Sequence, residues 1–183
     1  KDLSLVGGSY YDTHSAGFHI HFGIPNAILD PRRSDIRQTA QQIVNILDYY
    51  VGITAIAPEP PKDTQRRTSI KVKYGKPGDW RLEFPTLEYR VPGGFLLTHP
   101  TLTKGLMGLS WVVMDDILAR IKTCTDDFTD LRGVQSIYQI NELYPNIFTN
   151  VGNVFEVICS PTPEKALKHI DTIFMDVEDM VSF

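Results

Sequence analysis

Cysteine is nearly absent from this chain: its 183 residues hold two, Cys124 and Cys159, which have neither a metal-ligand spacing nor the density of a disulfide framework. A reducing cytosol is therefore the expected compartment. No apolar run is long enough to span a bilayer and no basic-then-apolar leader is present, so neither a membrane span nor secretion is expected. Surplus positive charge is missing too. The 18 Lys and Arg residues face 22 Asp and Glu, a formal net charge of −4, which argues against a general nucleic-acid binder. There is no internal repeat, no low-complexity tract, and no Ser or Cys set beside a base as an activated nucleophile.

What remains is 42% hydrophobic and long enough for one compact domain, residues 1–183, but too short for two ordinary ones. The chain begins at Lys1, and it reads as the C-terminal portion of a longer protein.

Positive charge is local. Between Lys62 and Arg90 stand eight basic residues (Lys62, Arg66, Arg67, Lys71, Lys73, Lys76, Arg81, Arg90) against four acids (Asp63, Asp79, Glu83, Glu88). Such a cluster suits a small anion better than a duplex. Read in twos, Lys71 and Lys73 oppose Ile70, Val72 and Tyr74. Arg81 and Glu83 oppose Trp80, Leu82 and Phe84, while Glu88 and Arg90 oppose Leu87, Tyr89 and Val91. Three strand segments thus each offer an apolar and a charged face, with Gly75–Gly78 as a turn between two of them. The same alternation marks a strand at Gly17–Ile24, with His19 and His21 on one side and Phe18, Ile20 and Phe22 on the other.

Helical spacing appears elsewhere. Ser34 is a candidate N-cap for a helix over Asp35–Val51, and Gly52 is a candidate stop. Residues 57–64 (APEPPKDT) read as an exposed loop at the mouth of the site. A stripe from Leu102 to Ile121 predicts a helix over Pro100–Lys122, with Gly105 and Gly108 allowing close packing. A polar break at Thr123–Thr129, a helical segment at Arg132–Leu143, a strand at Val154–Ile158 and a final helix opened by Pro161 and Pro163 complete the chain. The expected fold is α+β, with helices on one face of an antiparallel sheet and the other face left for a ligand.

Two imidazoles on one strand face can hold a divalent metal or hydrogen-bond a phosphate, although many such pairs are simply polar strand faces. Glu88 adds a hard oxygen suited to magnesium. Arg90 can fork onto a carboxylate or phosphate, or pair across strands with Glu88 or Glu83. Arg66 and Arg67 are adjacent, so only one reaches the site face of a strand and the other is expected at the surface. Lys76, in its glycine turn, can reach a phosphate or stay an exposed turn lysine. Other His-x-His architectures fit poorly: barrel hydrolases need about 250 residues, and the residues after Gly23, IPNAILD, lack the early carboxylate of a cupin site.

Taken in order, G-F-H-I-H-F-G, a helix, R-R, Y-G-K-P-G-D-W-R and L-E-Y-R-V-P resemble the phage-type carboxylate–amine ligases (amidoligases, COOH–NH2 ligase type 2) of the glutamine-synthetase superfamily, over residues 17–92. The resemblance implies a curved antiparallel sheet with the active site on its concave face. It also implies ATP and Mg2+ or Mn2+, with His19 and His21 contacting metal and nucleotide phosphate, and Glu88 ligating the metal. Arg90 would grip the substrate carboxylate or the transferred phosphoryl group, and Arg66 or Arg67, Lys76 and Arg81 would neutralise ATP phosphates. The partners implied are a small-molecule or peptide carboxylate and an amine. Localisation would be the host cytoplasm or a virion.

One departure stands out. The family carries an N-terminal strand pair with acidic metal ligands, whereas only Asp2 and Asp12 precede Gly17 here. A longer chain or another subunit would complete the site, or the site is degenerate. The alternatives to an amide-forming enzyme are accordingly a non-catalytic structural or interaction protein on the same fold, such as a virion component, or a module that only binds a phosphate ligand.

Overall fold

The computed structural model describes residues 10–11, 14–26, 28–69, 74–125, 140–145, 147 and 151–182. It is α+β. Two short strands, β1 (Tyr10–Tyr11) and β2 (His14–Ser15), form an antiparallel ribbon. The main sheet has β3 (Ile20–Gly23), β4 (Trp80–Glu83) and β5 (Thr86–Tyr89) in the order β3-β5-β4, all antiparallel. Its register places His21 opposite Glu88 and Arg81 opposite Glu88 on the other side, so the three lie in one row. The ladder continues past the strand ends through Arg90 N–H to Asp79 O at 3.0 Å and Phe18 N–H to Pro92 O at 2.9 Å.

The alternation holds on this sheet. Ile20, Phe22, Leu87 and Tyr89 are buried against the helices, with Leu87 and Tyr89 at 0% exposure, while His21, Arg81 and Glu83 on the opposite face are exposed. The first of the three strand segments falls at residues 70–74, and its positions 70–73 lie outside the described residues. Tyr74 does not point into the core as its parity suggested. The turn that follows, with φ +71° at Gly75 and +73° at Gly78, leads into β4.

Helix α1 (Ile36–Leu47) starts one residue later than the sequence suggested, with Asp35 at its N-cap and Arg33 clamped on the Asp35 carboxylate at 2.6 Å and 2.9 Å. It does not stop at Gly52. A wide π turn over Asp48–Gly52 carries it directly into α2 (Ile53–Ile56). Gly52 is there for clearance: a Cβ would lie 2.8 Å from the Tyr89 hydroxyl and 3.0 Å from Ile158 Cδ1.

That wide turn also aims Asp48 at the sheet. The Tyr89 hydroxyl donates to Asp48 Oδ1 at 2.8 Å, and the Gly78 N–H donates to Asp48 Oδ2 at 2.6 Å. One buried carboxyl therefore joins α1, the central strand and the glycine turn. Burial pushes its pKa up to about 7, against the two hydrogen bonds that favour the ionised form.

The 57–64 segment is not an exposed loop. Pro61–Thr64 winds into a 3-10 turn followed by α3 (Gln65–Thr68), and Glu59, Asp63 and Thr64 are buried. Helix α4 (Pro100–Thr125) fills the predicted span, with Leu106, Leu109, Val113, Ile117 and Ile121 buried. Gly105 and Gly108 face open space, so they do not serve close packing. Most of the 132–143 segment lies outside the described residues, which include its end as α5 (Ile140–Leu143). The 154–158 strand is instead helix α6 (Val151–Ile158): Val154, Val157 and Ile158 recur at three and four and all are buried, so packing overrides the β-branched preference. Helix α7 (Glu164–Val181) closes the chain, following Pro163.

Asp48 gives a testable pH dependence. An unfolded Asp ionises near pH 3.8 whereas the folded group holds its proton to about pH 7, so this group makes stability fall as pH rises through that window, on the order of 4 kcal/mol in full. His19, whose pKa burial lowers, has the opposite slope below pH 6.5. Denaturant unfolding of the chain and of Asp48→Asn from pH 4 to pH 8 separates them. The difference between the two proteins is expected to shift steadily in favour of the variant with rising pH, and a flat difference would show that Asp48 is not protonated in the fold.

Candidate functional site

On the open face of the sheet a carboxylate sits at the centre of a row of cations. Glu88 is 1% exposed. A buried, unpaired carboxylate would be costly, and here both oxygens are engaged. His19 Nδ1 lies 2.6 Å from Oε1, and the Arg81 Nε–H donates to Oε2 at 2.8 Å. His21 Nε2 stands 3.8 Å from Oε1, with its other ring nitrogen 3.3 Å from the Thr86 hydroxyl. Burial works to raise the Glu88 pKa, but the Arg81 hydrogen bond and the charges of His19, Arg81 and Arg90 outweigh it, so the group is held below its usual range and ionised.

His19 behaves in a complementary way. Burial, helped by Arg90 and His21, lowers its pKa more than Glu88 raises it, so the ring is neutral at pH 7. A neutral imidazole beside an ionised carboxylate carries its proton on the nitrogen facing that carboxylate. Nδ1–H then donates to Glu88, and Nε2 is left as a buried lone pair without a partner among the described residues.

Tyr74 organises the neighbouring cations. Its ring centroid is 5.4 Å from that of His19, with the Arg90 guanidinium over it at 4.6 Å and that of Arg66 at 5.6 Å. Arg90 shares Glu88's face, as its parity requires, but it pairs with Asp79, Nη1 to Oδ1 at 3.6 Å. Arg81 is the residue that bridges strands, contacting Glu83 and Glu88 at 2.8 Å each.

Arg66 and Arg67 depart from expectation: both lie on α3 rather than a strand, and neither is at the surface. A single helical turn rooted in the folded-back 57–64 segment points both inward. Arg67 donates to Glu59 in a buried ion pair, and Arg66 donates to the carbonyl of Val91. Arg66 keeps Nε and Nη1 without partners among the described residues, and burial together with the neighbouring Arg67 charge brings its pKa down to about 9. A side chain on Gly75 would collide with this guanidinium. Lys76 is half-buried in the turn, where its charge and that of Arg67 act against the burial that raises the Cys159 thiol pKa.

The structure thus brings His19, His21, Arg81, Glu88 and Arg90 together, with Arg66 reaching the group across Tyr74. Arg67 is set apart by its pairing with Glu59. Sequence reasoning missed Tyr74, because a glycine turn interrupts the alternation that assigned it to the core. It also missed Glu59 and Asp79 as carboxylate partners, the latter signalled only by its place three residues after Lys76 in the turn, where its N–H donates to Lys76 O at 2.9 Å. Among the described residues no group of three or more His, Cys, Asp or Glu is placed to hold a metal ion, and no helix is long and apolar enough to cross a membrane.

The site is thus a carboxylate fixed between imidazole and guanidinium, with Arg90 and Arg66 beside it keeping donors unmet among the described residues. The chain belongs to the phage phiEco32-like COOH.NH2 ligase-type 2 family, whose model matches residues 2–182, nearly the whole length. No curated protein and no solved structure matches it.

The pairing of Arg67 predicts a structural role distinct from that of Arg66. Removing either partner takes away a buried charge that offsets the other, so Arg67→Met and Glu59→Gln are each expected to cost about 3–5 kcal/mol, while an apolar replacement of both is expected to recover most of the loss. Urea unfolding of the two single variants and the double variant checks this, and additive losses would show that the pair is not coupled.

Proposed function

We propose that this chain is an ATP- and divalent-metal-dependent carboxylate–amine ligase that makes an amide through an acyl phosphate, on a sheet of glutamine-synthetase type. Family membership supports the carboxylate and amine halves of this reading. The observation that carries the rest is a set of polar atoms unmet among the described residues, His19 Nε2 and Arg90 Nε beside buried, ionised Glu88, and Arg66 Nε and Nη1 across the Tyr74 ring. Buried donors and lone pairs without partners are costly to maintain, and a polyphosphate with its metal supplies acceptors for the arginines and a cation for the imidazole.

The residues present fit a metal in a limited way. His19 Nε2 is an orphaned nitrogen ligand, and Glu88, bound to the other ring nitrogen, would orient that ligand from behind, with phosphate oxygens and water completing the shell. When bound, Mg2+ or Mn2+ would draw charge from the phosphate oxygens.

The chain's own side chains do the rest. Glu88 fixes the His19 ring and its tautomer. In this reading Arg66, with Lys76 from the turn and His21 from the strand, meets the nucleotide phosphates, while Arg67 acts only through its pair with Glu59. Arg90, free to leave its 3.6 Å contact with Asp79, takes the substrate carboxylate or the phosphoryl group in transfer. Arg81 holds Glu88 ionised and offers its remaining N–H groups to the same charge. The carboxylate attacks the γ-phosphorus of ATP, releasing ADP. The amine then attacks the acyl carbon, the C–O bond to phosphate breaks, and the proton lost from nitrogen leaves with the phosphate. Such transfers ask for positioning and charge stabilisation and need no covalent protein nucleophile.

Two variants test the reading. Glu88→Gln is expected to weaken metal-dependent binding of a non-hydrolysable ATP analogue by about 10–100-fold with the fold intact, measured by calorimetry; unchanged affinity would remove Glu88 from the site. Arg90→Ala is expected to lower amide formation more than nucleotide affinity, whereas equal losses would assign Arg90 to the nucleotide.

A further inference from the structure

Beside the polar row lies a groove of about 310 Å³, walled on one side by β3 and on the other by Met107, Trp111, Met114, Asp115 and Leu118 of α4. Its size is that of a pocket for a single ring or a short chain. The α4 residues form a second apolar stripe, at spacings of four, three and four from Met107 to Leu118, apart from the stripe that faces the core. Its floor, Met114 and Leu118, packs against the core, while Met107 and Trp111 stand open above it. Trp111 is 75% exposed and Met107 45%, and large apolar side chains held open next to a charged row point to a ligand. His21 joins the two regions, standing on the groove wall while its Nε2 lies 3.8 Å from Glu88 Oε1.

Charge decides what kind of ligand fits. Asp115 and His21 are the titratable groups on the groove wall, and Asp115 has no salt-bridge partner among the described residues. Asp115 follows Trp111 by one helical turn, so a carboxylate and an indole face share one side of α4. A carboxylate beside an aromatic face attracts an organic cation and repels an acid.

We infer that this groove is the subsite for the amine substrate, a primary ammonium on a compact apolar body, with the ammonium between Asp115 and Trp111 and the body against Met107, Met114 and Leu118. Naming the ligand as the amine rests on the ligase reading above. The groove leads from there, by way of His21, to the row where an acyl phosphate would form.

The test uses the whole chain, with 2-phenylethylamine as probe and 3-phenylpropionate as its acidic counterpart. Trp111 reports occupancy by fluorescence, and subtracting the signal of Trp111→Phe removes that of Trp80. Saturable quenching by the amine, about tenfold weaker binding in Asp115→Asn and no saturation by the acid are expected. Equal binding of acid and amine, no effect of Asp115→Asn, or no saturable quenching would each overturn the assignment. Calorimetry with the ATP analogue separates the two readings: nucleotide binding without amine binding rejects the subsite alone, and amine binding without nucleotide binding keeps a cation groove but rejects its place in an ATP-dependent ligase.

Discussion

The arrangement depends on one ionised carboxylate held almost free of water in the middle of a sheet. Glu88 on the central strand needs positive partners on both sides, and the order β3-β5-β4 supplies them, an imidazole from one neighbour and a guanidinium from the other. Each partner is fixed by the same bond. His19 gains its tautomer, Arg81 its orientation, and the remaining cations collect where that negative charge offsets their repulsion. Without the carboxylate, the Arg81 and Arg90 guanidiniums would share one sheet face with no charge between them to offset their repulsion.

The opposite face of the same strand is tied as firmly. Tyr89, one residue on, reaches through the layer to Asp48 in the π turn, and Asp48 takes the Gly78 N–H. The glycine turn that carries Lys76 is thereby anchored to the helix layer, while Arg66 packs against Gly75 at the other end of the turn. The polar site and the core are two faces of one four-residue strand.

What could be read in advance was what depends on strand alternation and helical spacing. Glu88 and Arg90 opposite Leu87 and Tyr89, the two histidines beside Phe22 and the long α4 stripe all follow from local geometry, and the family resemblance came from those same residues. What could not be read depends on contacts distant in sequence. Gly52 looks like a helix stop until the Tyr89 hydroxyl is placed against it. Arg66 and Arg67 look like strand residues until the 57–64 segment folds inward and turns them into a helix. Val154–Ile158 has a strand's composition and a helix's spacing, and burial of three of its residues decided between them. Asp48 gave no signal at all, since an acid within an amphipathic helix is ordinary until the turn around it widens.

Because β5 alternates residue by residue between chemistry and core, its length is as constrained as its composition. Adding or deleting one residue between Thr86 and Arg90 would send the carboxylate toward Asp48 and the phenol toward the histidines, reversing every polar contact at once. The two-residue turn at Phe84–Pro85 is bound by the same rule, since the length of a hairpin turn sets the register of the strands it joins. Change in this fold therefore has more room on the exposed side of α4 than in the hairpin, where the reading frame of the central strand stays fixed.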